Sequence, residues 1–313
     1  MITDIAPLLR KEPAAYLGLS FFDLPRATYA ELVEGMADEH RWHFENNTTE
    51  SHMVFLKRWG PVLVEWSAQL PFPQGSVHLD LGAGEGILSY LVARRGYHSI
   101  AVELSATILH SATLFQAGLY GPHCSKHSSM DLWVADIYDL PLKAASVDFV
   151  TINKLLHHLD DLDRLLQEVS RVLKPKGIVY IWEPFYVSIP LLRWYFLKRA
   201  RRRELSVGVH HVHHTYWTYQ RLFKRWLTDL SIQREFKVDK LKHYITRNRF
   251  LNGTIYAQGR IQPYRQSTGN PSERLQIQPK DFLREDLLPQ GLQTTRCRKE
   301  FLDSLLAEEG SSK

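Results

Sequence analysis

Residues 77–96 read VHLDLGAGEGILSYLVARRG. The stretch opens on a short apolar run, passes glycines at 82, 84 and 86, and continues with apolar residues at helical spacing. Ile87, Leu88, Leu91 and Val92 share one side of the expected helix, and Gly96 is placed to stop it. A buried strand, a tight turn and an amphipathic helix are therefore expected. In an open parallel sheet, ligands bind beyond the carboxyl ends of the strands, so this turn is the expected site. Glycine there adopts backbone conformations closed to other residues and lets a ligand approach the main chain. The spacing is G-x-G-x-G, whereas the dinucleotide fingerprint is G-x-G-x-x-G. The turn alone leaves open both a pyrophosphate-bearing ligand and one without phosphates.

Outward from this turn, strand and helix patterns alternate. HSIAVEL (98–104), DLWVAD (131–136) and VDFVTIN (147–153) read as strands, and ATILHSATLFQAG (106–118) as a helix. The clearest helix is DDLDRLLQEVSRVL (160–173), in which Leu162, Leu165, Leu166, Val169, Val172 and Leu173 form one apolar stripe. Its acidic residues 160, 161 and 163 lie in the first turn, where the helix dipole favours negative charge. LKPKG (173–177) ends that helix and IVYIWEP (178–184) is a fifth strand. Such alternation argues an α/β fold with a parallel sheet and right-handed crossovers. After 184 the pattern lapses, then resumes with a helix at TYQRLFKRWLTDL (218–230) and strands near REFKVDKL (234–241) and LNGTIYAQGRI (251–261).

Three segments are expected. Residues 1–74 form an N-terminal helical cap, with helices over ATYAELVEGMADEHRWHF (27–44) and HMVFLKRWGPVLVEWSAQL (52–70) and a hinge at PFPQGS (71–76). Residues 75–262 form the main domain, with an insertion or lid at about 185–217. Residues 263–313 form a partly flexible tail that opens on RQSTGNPSE (265–273) and closes with a short helix, KEFLDSLLAEE (299–309). No chemistry is assigned to the tail.

With 313 residues, 44% of them hydrophobic, the chain can bury a full core without covalent staples. Its two cysteines, Cys124 and Cys297, are far apart and in no metal-like spacing, which fits a reducing, cytoplasmic location. The first residues show no basic start followed by an apolar run, so no secretory signal is expected. The net charge of +5 is concentrated in RWYFLKRARRRE (193–204), with six Arg or Lys against one Glu. Together with the preceding IPLL this composition fits a surface helix with solvated arginines, or peripheral contact with a membrane surface. A nucleic-acid backbone is the less favoured partner. Nothing in the sequence indicates an oligomeric state.

The motifs downstream of the turn carry a family resemblance. Leu79-Asp80-Leu81-Gly82-Ala83-Gly84-Glu85-Gly86, then Glu103, Asp136-Ile137, Leu140-Pro141-Leu142, Asp148-Phe149-Val150, His157-His158 and Leu173-Lys174-Pro175-Lys176-Gly177 occur in order. This run resembles the class I S-adenosylmethionine-dependent methyltransferases, most closely the small-molecule branch that includes ubiquinone and menaquinone methyltransferases. It is strong over about 77–184 and weaker over 215–260. Lys176 departs from the family, which usually has glycine there.

The resemblance implies a Rossmann-like class I methyltransferase fold: a seven-stranded, mostly parallel sheet with helices on both faces. It implies S-adenosyl-L-methionine as cofactor. Gly82, Ala83 and Gly84 would make room for its methionyl part, with Asp80 near the ammonium. Glu103 would hold the ribose hydroxyls, Asp136 would accept from the adenine amino group and Ile137 would lie against the ring. Leu104 and Asn153 complete the expected cofactor contacts. A dinucleotide-binding dehydrogenase is the competing ligand reading.

Methyl transfer from a sulfonium is an in-line displacement in which the protein aligns the acceptor, excludes water and, for a hydroxyl or activated carbon, removes a proton. His157, His158 and Glu183 are the candidate bases, since they follow the fourth strand or end the fifth. The competing role for the histidines is packing or capping of the helix that begins at 160. VHHVHHTYWTY (209–219) brings His210, His211, His213 and His214 together. Lid or acceptor contact is the favoured reading for His210, His211 and His214, along with Tyr186. A metal site is disfavoured because no zinc-like spacing accompanies them, so no metal is expected. The expected function is methylation of a small or lipophilic acceptor at oxygen or carbon. An RNA methyltransferase and a non-catalytic binding protein on the same fold are the alternatives. Strand four ends Ile152-Asn153-Lys154-Leu155, without the N-P-P-[YFW] tetrapeptide typical of amino-group methylation.

Overall fold

The computed structural model describes residues 6–25, 49–119, 124–186, 194, 198, 212–235, 253–262, 274–275 and 288–311. The chain forms two compact units, Met1–Lys143 with Asn270–Lys313, and Ala144–Gly269. The expected helix over 27–44, the basic run at 193–203 apart from Trp194 and Lys198, most of the expected lid and the loop 265–273 lie outside the described residues.

The first unit opens with β1 (Ala14–Tyr16) and β2 (Leu19–Phe21), an antiparallel hairpin. Its two turn residues, Leu17 and Gly18, have φ of 48° and 81°, the paired left-handed geometry that matches strand twist in two-residue hairpins. This corrects the expectation of an all-helical segment. The buried alternation Leu19, Phe21 is a two-residue period, and it places the hairpin against the core. After β3 (Leu24–Pro25), α1 (Thr49–Ala68) forms where the 52–70 helix was expected.

The decisive stretch then folds as read. β4 (Val77–Leu81) is buried throughout, and α2 (Ile87–Arg94) presents Leu88, Leu91 and Val92 to the core before Gly96, at φ 88°, ends the segment. β5 (His98–Glu103) follows. The single helix expected over 106–118 is split into α3 (Ala106–His110) and α4 (Thr113–Gly118). Ser105 caps α3, accepting from the Ile108 N–H at 3.2 Å. β6 (Ser129–Val134) completes a strand order of β1-β2-β6-β5-β4, in which β2, β6, β5 and β4 run parallel.

The second unit begins with β7 (Val147–Asn153), within the residues expected. A 3-10 turn (Leu156–His158) leads to α5 (Leu162–Val172), whose N-cap Asp161 accepts from the Arg164 N–H at 3.0 Å. α5 buries Leu162, Leu165, Leu166, Val169 and Val172. Burial of such side chains is worth about 1.5–3 kcal/mol each, so the stripe fixes the helix far more firmly than its propensity does. β8 (Leu173–Phe185) starts where α5 stops. Lys176 takes φ 72°, a left-handed conformation that accounts for the family's usual glycine at this position.

Thr215 caps α6 (Tyr216–Trp226) through its side chain, and β9 (Leu227–Glu235) follows directly. The helix expected to reach 230 therefore ends at 226. Thr228, Asp229 and Ser231 are poor helix residues, and the antiparallel pairing of β9 with β10 (Gly253–Ile261) takes them instead. β10 also pairs antiparallel with β8, while β7 and β8 are parallel, giving the order β7-β8-β10-β9. Among the described residues these strand orders hold five strands in the first unit and four in the second, apart from β3, where seven in all were expected, the surplus being the hairpin β1–β2. The α/β Rossmann-like class stands.

The C-terminal elements return to the first unit. β11 (Arg274–Leu275) pairs antiparallel with β3, and α7 (Leu288–Ser311) is a 24-residue helix, much longer than the closing helix expected at 299–309. Leu302 is fully buried in one cluster with Leu56, Val64, Tyr90, Leu91 and Phe115.

Two glycines of the turn answer different constraints. At Gly84, φ is 54° and an added Cβ would meet nothing within 4 Å. At Gly86, φ is 75° and the Cβ would lie 2.7 Å from Met130 Cε and 2.8 Å from Ala112 Cβ. Gly84→Ala is expected to lose about 1–2 kcal/mol, the left-handed strain alone. Gly86→Ala adds overpacking and is expected to lose about 2–4 kcal/mol in urea unfolding. Equal losses would contradict this division.

Candidate functional site

Three carboxylates gather at the carboxyl ends of adjacent parallel strands in the first unit. Asp80 belongs to β4, Glu103 ends β5 and Asp136 follows β6 by two residues. The parallel registers Asp80↔Ala101 and Glu103↔Val134 hold these strand ends level. Asp80 is buried and accepts from the Ser89 hydroxyl on α2 at 2.7 Å. Asp136 is buried too, and its Oδ1 accepts from the Tyr138 N–H at 2.9 Å in a local turn. Ile137, partly buried, stands beside it.

Glu103 organises the turn. Its Oε2 accepts from the Gly84 N–H at 3.0 Å, and its Oε1 from Leu104 N–H at 2.8 Å and Ser105 N–H at 3.1 Å. These bonds are charge-assisted, hence stronger than ordinary amide pairs. The turn is also tied to β5 by the Ala83 N–H to Val102 O bond at 3.0 Å. Gly82, Ala83, Gly84, Glu103 and Leu104 are all only partly buried. The N-terminal segment braces the loop after Asp136: Arg10 pairs with Asp139, and its Nε donates to Leu140 O at 2.9 Å.

The second cluster lies within the second unit, around Glu183 near the end of β8. This carboxylate is fully buried. Oε1 accepts from the Leu155 N–H at 2.5 Å and the Leu156 N–H at 2.7 Å, and Oε2 is 2.9 Å from His157 Nδ1. Burial pushes the Glu183 carboxyl up to about 8, against the pull of the Leu156, Leu155 and His157 N–H groups and the His214 imidazole. His158 is exposed, and its ring centroid lies 4.2 Å from that of His157. The structure therefore separates the two histidines: His157, not its neighbour, makes the Glu183 contact. Asn153, partly buried, ends β7.

His214 and Tyr186 join the same unit. The Tyr186 N–H donates to His214 O at 2.9 Å, His214 Nε2 is 3.2 Å from Leu159 O, and Tyr186 stacks edge-on with His213 at 4.4 Å. The Val212 N–H donates to His157 O at 2.6 Å, linking this segment to the histidine pair. His210 and His211 lie outside the described residues. Among the described residues no group of three His, Cys, Asp or Glu side chains is placed to hold a metal ion, and no helix is long and apolar enough to cross a membrane. Tyr219 was not anticipated. It is fully buried, 5.3 Å from the His214 ring, with a hydroxyl that has no hydrogen-bond partner among the described residues, and burial together with Glu183 and Tyr186 raises its pKa. The aromatic-rich start of α6 was visible in the sequence, but not which ring would turn inward.

The fold is of the Rossmann-like α/β class. Residues 79–181 match the model of the methyltransferase-domain family. A 2-phytyl-1,4-naphtoquinone methyltransferase of Trichormus variabilis is 34% identical over 38% of this chain and 50% of its own length. A ubiquinone biosynthesis O-methyltransferase of Paracidovorax citrulli is 29% identical over 48% of this chain and 60% of its own. A dimethylglycine N-methyltransferase of Parasynechococcus marenigrum is 32% identical over 36% and 39% respectively. The chain thus spans about half the length of the curated relatives it matches.

A carboxyl group that holds its proton more tightly folded than unfolded favours the native state fully below its ordinary value of 4.5. That contribution is lost as pH rises towards about 8. Glu183→Gln, neutral at every pH, should therefore gain melting temperature relative to the parent protein between pH 5 and pH 8. A difference that stays flat over this range would contradict the assignment.

Proposed function

We propose that the protein is an S-adenosylmethionine-dependent methyltransferase acting on a small or lipophilic acceptor at oxygen or carbon. The observation that carries this reading is the Glu103 carboxylate bonded to the Gly84 N–H, within a segment of the methyltransferase-domain family. The donor set fits the cofactor. An ammonium, two ribose hydroxyls and an adenine amino group all donate hydrogen bonds, and Asp80, Glu103 and Asp136 are acceptors at three neighbouring strand ends. The open space beside Gly84 leaves the main chain approachable.

When bound, the cofactor supplies an electrophilic methyl group on a sulfonium. Asp80 would hold its ammonium and Glu103 its ribose, with Asp136 and Ile137 at the adenine. Gly82, Ala83, Gly84 and Leu104 would complete the contacts. In the second unit, an ionised Glu183 accepting from His157 Nδ1–H puts the imidazole lone pair on Nε2. His157 would take the acceptor's proton there, and Glu183 would stabilise the imidazolium that forms. His158, His214 and Tyr186, with His210 and His211, are assigned to the acceptor side. The names of the naphthoquinone and ubiquinone relatives support an aromatic, lipophilic acceptor. Such an acceptor would fit peripheral contact of a cytoplasmic protein with a membrane surface.

Isothermal titration should show that S-adenosylhomocysteine binds and NAD does not; binding of NAD alone would overturn the reading. In turnover of a hydroxylated aromatic acceptor, His157→Ala and Glu183→Gln should each lower kcat by about 10²–10⁴-fold. The rate of the parent protein should climb with pH and level above about 8, as Glu183 ionises. Full turnover by both variants would remove the dyad from the mechanism.

A further inference from the structure

Glu85 lies inside the glycine turn, between two residues with positive φ. Its Oε2 pairs with Nη1 of Arg298, on α7, and both side chains are only 8% exposed. Burial pulls the Arg298 guanidinium down to about 9, so its charge is poorly solvated and depends on its partner. Arg298 is more than two hundred residues from the turn in sequence and outside the segment that matches the family.

The same helix grips α2, which the turn leads into. Asp303 accepts from the Tyr90 hydroxyl and lies 3.4 Å from Arg94 Nη1 and 2.5 Å from Lys299 Nζ. Glu309 Oε2 lies 2.5 Å from Arg95 Nη2. Phe301 and Leu305 would each stand 3.2 Å from a Cβ at Gly60, so α1 and α7 approach closely through that glycine. Thr295, three residues before Arg298, is fully buried, and among the described residues its hydroxyl has no hydrogen-bond partner.

A turn with three glycines at φ 66°, 54° and 75° is the stretch of backbone with the most conformational freedom to lose. Glu103 fixes its middle through Gly84, and Arg298 fixes its far side through Glu85. We propose that Arg298 is a positioning residue for the cofactor turn, and that α7 is a working part of the cofactor site rather than a tail. This rests on the cofactor reading given above. Arg298 acts through Glu85 and touches no reacting atom.

Arg298→Met should raise the Kd for S-adenosylhomocysteine and the KM for S-adenosylmethionine by about tenfold, and leave kcat at saturation within about twofold. Arg298→Lys, which keeps the charge, should recover most of the loss. A purely structural role would instead lower the melting temperature and leave Kd unchanged well below it. Hydrogen exchange on the unaltered chain needs no variant to fold: S-adenosylhomocysteine should slow amides in 294–302 together with those in 82–86. Failure of the unaltered chain to bind S-adenosylhomocysteine would overturn the cofactor reading itself. Binding with protection confined to the turn, or an Arg298→Met variant that binds equally well, would overturn only the role of Arg298.

Discussion

The carboxylate of Glu103 is the fixed point around which the first unit's ligand turn is built. Three backbone N–H groups from two different loops converge on it, one from Gly84 and two from Leu104 and Ser105. A single side chain at a strand end thereby sets how the loop after β4 meets the loop after β5. The glycines beside it are what make such a constraint necessary, since no side chain of their own restricts them. Asp80 extends the arrangement by tying β4 to α2 through Ser89, so strand, turn and helix are held at one corner.

The second unit uses the same device under different electrostatics. Glu183 also stands near a strand end and also accepts two N–H groups of a neighbouring loop, those of Leu155 and Leu156. Glu103 is only partly buried, so water shares the cost of its charge. Glu183 is sealed from water, and its Oε2 faces the His157 imidazole. In the proposed function the first carboxylate would hold the cofactor and the second would move a proton. Its position follows from β8, which fixes Glu183 opposite Ile255 of β10 and leaves the 3-10 turn at Leu156–His158 to fold down over the carboxyl group.

The parts legible in the sequence were those with a strong local period. β4 and β7 announce themselves as short, largely apolar runs, α2 and α5 because an apolar stripe repeats every 3.6 residues, and the glycine turn by its three closely spaced glycines. The hairpin at Leu17-Gly18 was hidden because three-residue strands are too short to show a period. The end of α6 was misjudged because Leu227 and Leu230 continue a helical stripe, while the pairing of β9 with β10 decides otherwise. Arg298 was invisible for a deeper reason: a buried ion pair across more than two hundred residues leaves no local trace at either end. The dyad was half legible, since spacing brought His157, His158 and Glu183 into view together but could not say which imidazole turned inward.

In the proposed function a strand-end carboxylate holds the glycine turn in the shape of its ligand. Titration of S-adenosylhomocysteine into Glu103→Ala, with circular dichroism to verify the fold, tests that most directly. The account predicts a native-like spectrum and an affinity at least about tenfold weaker than that of the parent protein, in keeping with loss of a charge-assisted contact. An unchanged affinity in a folded variant would contradict it.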